Sequence, residues 1–186
     1  MSNCQPFRAR AWVLATVCVL AASSPADAAP RITNLSLRGL STSAPTTLVV
    51  EGRELGPETT VWFSAPGAKH VIQEGAKANR LEIAFTLDPQ TPSGIYVLRI
   101  ASASGISEAA ALAVDAMPQV PFGPQVTAGT ALSGTLAGSA VLSTQLVGKQ
   151  GQRVVIDVES HRLGSALDPA VHLYDARRVQ LAWSQA

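Results

Sequence analysis

The sequence predicts an all-β protein, and three observations carry that prediction. Short apolar runs of period two recur from residue 29 onward, separated by clusters of Gly, Pro, Asn, Asp and Ser. No stretch of that span places its apolar residues at helical spacing. Between the runs lie turn signals such as Pro66-Gly67, suited to a type II turn, and the stretch from Asp88-Pro89 to Ser93-Gly94.

The clearest alternation lies in residues 79–86, where Leu81, Ile83 and Phe85 share one face and Arg80, Glu82 and Ala84 the other. Residues 152–159 alternate in the same way, with Val154, Ile156 and Val158 opposite Val155, Asp157 and Glu159. Both read as half-buried strands. Further strands are expected at 32–39, 46–52, 59–64, 69–74, 94–101, 107–114, 141–147, 170–175 and 179–184.

The N-terminus has the three parts of a Sec-type signal peptide. Arg8 and Arg10 form the positive region, an uncharged apolar run follows from Ala11 to Ala22, and Ala26-Asp27-Ala28 supplies the small-x-small cleavage site. The apolar run is shorter than the roughly 20 residues of a membrane span, and Ser23, Ser24, Pro25 and Asp27 are poor material for extending it. Cleavage near Ala28 is therefore expected, with secretion to the periplasm, the cell surface or beyond. Acylation at Cys18 is disfavoured, because Val17 stands where a lipobox needs Gly, Ala or Ser.

Both cysteines, Cys4 and Cys18, leave with residues 1–28, so the mature chain holds no thiol and no disulfide. Of 14 basic and 13 acidic residues, Arg8, Arg10 and Asp27 leave too, so 12 of each remain and the net charge is zero. A neutral chain without a basic cluster offers no electrostatic footprint for nucleic acid or an anionic membrane. Residues 116–124 carry Pro118, Pro121, Gly123 and Pro124 and read as a stiff, extended linker between domains at 29–115 and 125–186.

The first domain carries a series of structural motifs. Ile32-Thr33-Asn34-Leu35-Ser36 is similar to an opening strand, Thr47 to Gly56 to a "T-v-v-x-G-x-x-f-G" core, and Val61-Trp62-Phe63 to the strand after it. Gly94 to Leu98 and Gly105-Ile106-Ser107 are similar to a closing "G-x-Y-x-v…G-x-S" portion. Together these make residues 31–115 resemble an IPT/TIG domain, the immunoglobulin-like module of many extracellular bacterial proteins and plexin-type receptors. The resemblance implies an immunoglobulin-like β-sandwich. It also implies that Tyr96 bonds its hydroxyl to nearby backbone, as in a tyrosine corner.

In the second domain, Gly151 to Val158, Arg162 to Pro169 and His172 to Asp175 resemble the first part of a bacterial pre-peptidase C-terminal type domain, a β-sandwich or jelly roll. Where such domains carry an acidic "D-x-D/x-F" strand, this chain has Val141 to Leu146, so an acidic site is not carried over. The resemblance implies further strands after residue 186, including a closing "G-x-Y" strand. The second sandwich is thus expected to be incomplete, in a fragment or in a chain completed by a partner.

Candidate sites are few. Asp157, Glu159 and His161 occupy alternate positions and would gather a cation if the strand continued through them, although a solvated outer face needs only the same spacing. Trp62 and Trp183 fall on faces where an indole could stack on a sugar or anchor a protein, or pack under a loop. His70, His161 and His172 sit in unrelated settings with no G-x-S-x-G elbow, and the His172 to Asp175 spacing is what strand ends produce by chance. Glu51, Glu54 and Glu58 read as solubilising charges, Gly134 to Ser139 lacks the Lys of a phosphate loop, and Asn34-Leu35-Ser36 matches a glycosylation sequon.

No catalytic group, cofactor or resident metal is expected. The expected role is a secreted, non-catalytic spacer, adhesion or binding module meeting protein or polysaccharide at the cell surface. The alternative is an accessory, substrate-binding N-terminal fragment of a larger secreted hydrolase such as a peptidase.

Overall fold

The computed structural model describes residues 28–149 and 151–185. The predicted signal peptide, apart from Ala28, lies outside the described residues, and so do Cys4 and Cys18. Within the described residues no helix is long and apolar enough to cross a membrane.

Nine strands lie within residues 31–115: β1 (Arg31–Leu35), β2 (Gly39–Ser41), β3 (Thr46–Arg53), β4 (Thr60–Phe63), β5 (Lys69–Ile72), β6 (Arg80–Thr86), β7 (Gly94–Ser102), β8 (Gly105–Ile106) and β9 (Ala110–Asp115). One sheet has the order β1-β3-β6-β5 and the other β2-β9-β7-β4, with β8 hydrogen-bonded to β7. All pairs here are antiparallel except β2 with β9, which run parallel.

The two sheets form a sandwich because each buries one face. Leu48, Val50, Leu81, Ile83 and Phe85 from the first sheet share one core with Leu40, Val61, Leu98, Ile100, Leu112 and Val114 from the second. The alternation read in residues 79–86 is realised here, since Leu81, Ile83 and Phe85 are all buried in β6. Each such side chain stabilises the fold by about 1.5–3 kcal/mol.

The predicted strand at 32–39 is in fact two. After β1 the chain leaves the first sheet at Ser36, whose Oγ accepts a 2.9 Å hydrogen bond from the Val49 amide, and enters the second as β2. A period-two pattern cannot reveal this, because alternation continues across the change of sheet. The predicted strand at 107–114 starts only at Ala110, because Ser107 turns inward to bond the backbone of β7.

The Pro66-Gly67 turn forms as read: Gly67 has φ 69° and the Ala68 amide donates to the Ala65 carbonyl at 3.4 Å. Glycine at position 52 has a different cause. The carbonyl of Arg31 on β1 approaches Gly52 so closely that a Cβ there would overlap it.

After the sandwich come β10 (Gln119–Pro121), β11 (Gln125–Val126), β12 (Ala131–Ser133), β13 (Gln145–Leu146), β14 (Ala170–Tyr174) and β15 (Gln180–Gln185). They pair as β10 with β12, β11 with β13, and β14 with β15. Three expectations need correction here. The linker 116–124 holds a strand, because β10 pairs in parallel with β12; Pro121 is tolerated since β10 is an edge that needs no N–H there.

The predicted strand at 141–147 shrinks to Gln145–Leu146. The predicted strand at 152–159 does not form, because among the described residues no segment meets its backbone groups, and alternation supplies a face but not a partner. No described residue from 116 to 185 is buried, so these pairs enclose no core of their own. They are tied to the sandwich by the Arg38 amide, which donates to Ser133 Oγ at 2.8 Å, and by Ser43 Oγ, which donates to the Ala116 carbonyl at 2.9 Å.

Candidate functional site

The site is built on the β14–β15 hairpin. Its turn is organised by Asp175, whose Oδ1 accepts 2.8 Å hydrogen bonds from the amides of Arg177 and Val179. The Arg178 amide donates to the Asp175 carbonyl at 2.9 Å, and Arg178 itself sits at φ 64°. This is a tight turn followed by a left-handed residue, which returns the chain antiparallel with right-handed twist. The Val179 amide, joined by the Arg177 amide and guanidinium and opposed by partial desolvation, holds the Asp175 carboxyl below its ordinary value.

That turn sets the register in which His172 faces Trp183. Alternation along β14 leaves Val171 and Leu173 half-buried and presents His172 and Tyr174 outward. The rings of His172 and Tyr174 lie 6.3 Å apart at 19°, and those of His172 and Trp183 lie 6.4 Å apart at 19°. His172 Nδ1–H donates to Gln180 Oε1 at 3.2 Å, which orients the central ring. Trp183 is 63% exposed and Tyr174 52%. Three aligned rings in water, flanked by an amide, make a surface that stacks on apolar faces and hydrogen-bonds at its rim.

Trp62 is also open, 53% exposed, between buried Val61 and half-buried Phe63. Phe63 packs on Phe85 at 5.3 Å and Tyr96 at 6.0 Å, so the core takes Phe63 and leaves the indole of Trp62 outside. Trp62 stands opposite Arg99 on β7.

The cation expectation at Asp157, Glu159 and His161 required one continuous strand. Instead, Asp157 and Glu159 lie in irregular chain, His161 opens a 3-10 turn at His161–Leu163, and Glu159 is paired with Arg162. Among the described residues no group of three or more His, Cys, Asp or Glu side chains is placed to hold a metal ion. His70 lies against Phe85 at 6.0 Å.

An open groove of about 330 Å3 between the sandwich and the following pairs is lined by Asn34, Ser36, Arg38, Phe122 and Ser133 among others, and Arg38 is the one ionisable residue on its wall among the described residues. The sequon Asn34 uses its side-chain amide to donate to Glu51 Oε2 at 3.2 Å.

Sequence reasoning singled out Trp183 but not its companions. The signal was present: His172 and Tyr174 are two apart on a strand and so share a face. What was missing was the register that sets Trp183 beside them, which the Asp175 turn decides. No family model, curated protein or solved structure matches the chain.

Proposed function

We propose that this chain is a secreted, non-catalytic binding module whose contact face is the row Trp183-His172-Tyr174, and that its partner is polysaccharide at the cell surface. The observation that carries this reading is the alignment of three exposed rings on one hairpin face. A pyranose ring presents a face of C–H bonds that stacks on an aromatic ring, while its hydroxyls need amide partners of the kind Gln180 provides. The first domain acts as an immunoglobulin-like carrier of the IPT/TIG type. Support for that comes from the parallel β2–β9 pair at the edge of the second sheet and from the Tyr96 hydroxyl, which donates to the Pro92 carbonyl at 2.9 Å.

The test is retention of the purified protein on insoluble β-linked glucan, chitin and peptidoglycan. Retention on at least one, lost on Trp183→Ala, supports the reading. Hydrolysis of peptide, ester or glycoside by the protein, abolished by one substitution, would overturn its non-catalytic part.

A further inference from the structure

The groove between the sandwich and the following strand pairs is rich in hydrogen-bond donors and, among the described residues, carries no acid on its wall. Arg38 stands in the crossover from β1 to β2, between buried Leu37 and buried Gly39, and lines that wall. The Arg38 amide donates to Ser133 Oγ at 2.8 Å and its carbonyl accepts from the Ala113 amide at 2.9 Å, which fixes the backbone that carries the guanidinium. Arg38 is half-buried, yet among the described residues it forms no ion pair and its guanidinium makes no hydrogen bond. A cation drawn partly out of water without a counter-charge favours an anion from outside the chain.

Hydroxyls surround that charge. Ser36 Oγ and Ser133 Oγ each already accept a backbone amide hydrogen, from Val49 and Arg38, so their own hydroxyl protons are left to donate. Thr135 adds a hydroxyl to the same lining, and Asn34 gives its amide to Glu51, a carboxylate that does not itself line the groove. Phe122 and Leu142 supply apolar surface. Glycine at position 134 lets both come close, since a Cβ there would lie 3.1 Å from each side chain, and the Phe122 amide is tied to the Ser133 carbonyl at 2.7 Å.

We propose that this groove binds a uronic acid residue of an anionic polysaccharide, with the sugar carboxylate on Arg38 and the C–H face of its ring on Phe122. The inference rests on the polysaccharide reading above and adds the class of sugar, at a site that shares no residue with the β14–β15 hairpin. Charge and surface together select this occupant. A carboxylate matches the guanidinium fork, ring hydroxyls match side-chain hydroxyls that donate and accept, and a pyranose face matches the phenyl ring. A neutral sugar would leave the guanidinium without its counter-charge, and inorganic phosphate would leave the apolar surface of Phe122 and Leu142 uncovered. The volume of about 330 Å3 falls within the about 300–1,000 Å3 of small-ligand clefts.

Calorimetric titration of the purified protein with short oligomers of galacturonate, glucuronate and mannuronate, each as the free acid and as its methyl ester, tests the site. At least one acid should bind saturably, and its ester about tenfold more weakly, because the ester keeps the sugar and removes the charge. Arg38→Ala should weaken the acid by about tenfold and bring acid and ester level, while Trp183→Ala leaves the acid unchanged. Arg38 bonds its neighbours through its backbone and lies outside the core cluster, so the melting transition reports that the variant is folded. Acid and ester that bind alike, an acid indifferent to Arg38→Ala, or failure of every acid overturns the proposal. Displacement of the acid by inorganic phosphate at equal concentration overturns the sugar assignment. The aromatic face is judged separately: retention on a neutral polysaccharide that is lost on Trp183→Ala and kept on Arg38→Ala upholds that reading even where every uronate fails.

Discussion

Ser107 and Ile100 hold each other by two hydrogen bonds: the Ser107 amide donates to the Ile100 carbonyl at 2.8 Å, and the Ile100 amide donates to Ser107 Oγ at 2.9 Å. Ser107 is buried, and its hydroxyl donates a hydrogen bond to the Glu108 carbonyl at 2.9 Å. The side chain thus replaces a strand partner where β9 has not yet begun.

Ser107→Ala should therefore cost about 1–3 kcal/mol, the penalty for a buried amide left without an acceptor. Urea unfolding checks this: the midpoint should fall with an unchanged slope.

Tyr96→Phe keeps the ring that packs on Phe63 and deletes the hydroxyl that donates to Pro92. A loss of about 0.5–1.5 kcal/mol is expected, read from the urea midpoint at unchanged slope.

Two neighbouring substitutions should act in opposite directions. Gly52→Ala pushes a methyl into the Arg31 carbonyl and should destabilise by about 1–3 kcal/mol. Glu54→Gly relieves a side chain held at φ 52°, and that relief of about 1–3 kcal/mol outweighs the chain entropy that glycine adds, so the variant should be more stable. Thermal melts of both variants against the parent test the pair.

The hairpin should loosen in acid. Because the Asp175 carboxyl is lowered in the folded chain, its contribution is whole above the ordinary value of 3.8 and is lost as pH falls through the lower folded value. Protection of the Val179 amide, measured against its intrinsic exchange rate, should fall over that acidic window, and Asp175→Asn should flatten the dependence.

The sandwich was legible because its strands bury one face, so Leu81, Ile83 and Phe85 announced β6 by spacing alone. Gly39–Ser41 did not, since the alternation of β1 runs on through the change of sheet and merges the two strands into one. The Pro-rich stretch concealed β10, because proline is read as a break yet fits an edge strand. Residues 152–159 misled in the other direction: Val154, Ile156 and Val158 have the pattern of a strand, but pattern does not create a neighbour. For the site, Trp183 was visible and the row was not, because cross-strand register is fixed by the carboxylate of Asp175 eight residues away from the indole.

Calorimetric titration of a soluble oligosaccharide, cut from whichever polysaccharide retains the protein, is the most direct measurement of the aromatic face. The account predicts saturable binding that Trp183→Ala weakens by about 2 kcal/mol, roughly thirtyfold, while Trp62→Ala leaves it unchanged. Binding that survives Trp183→Ala, or that is lost on Trp62→Ala instead, would contradict it.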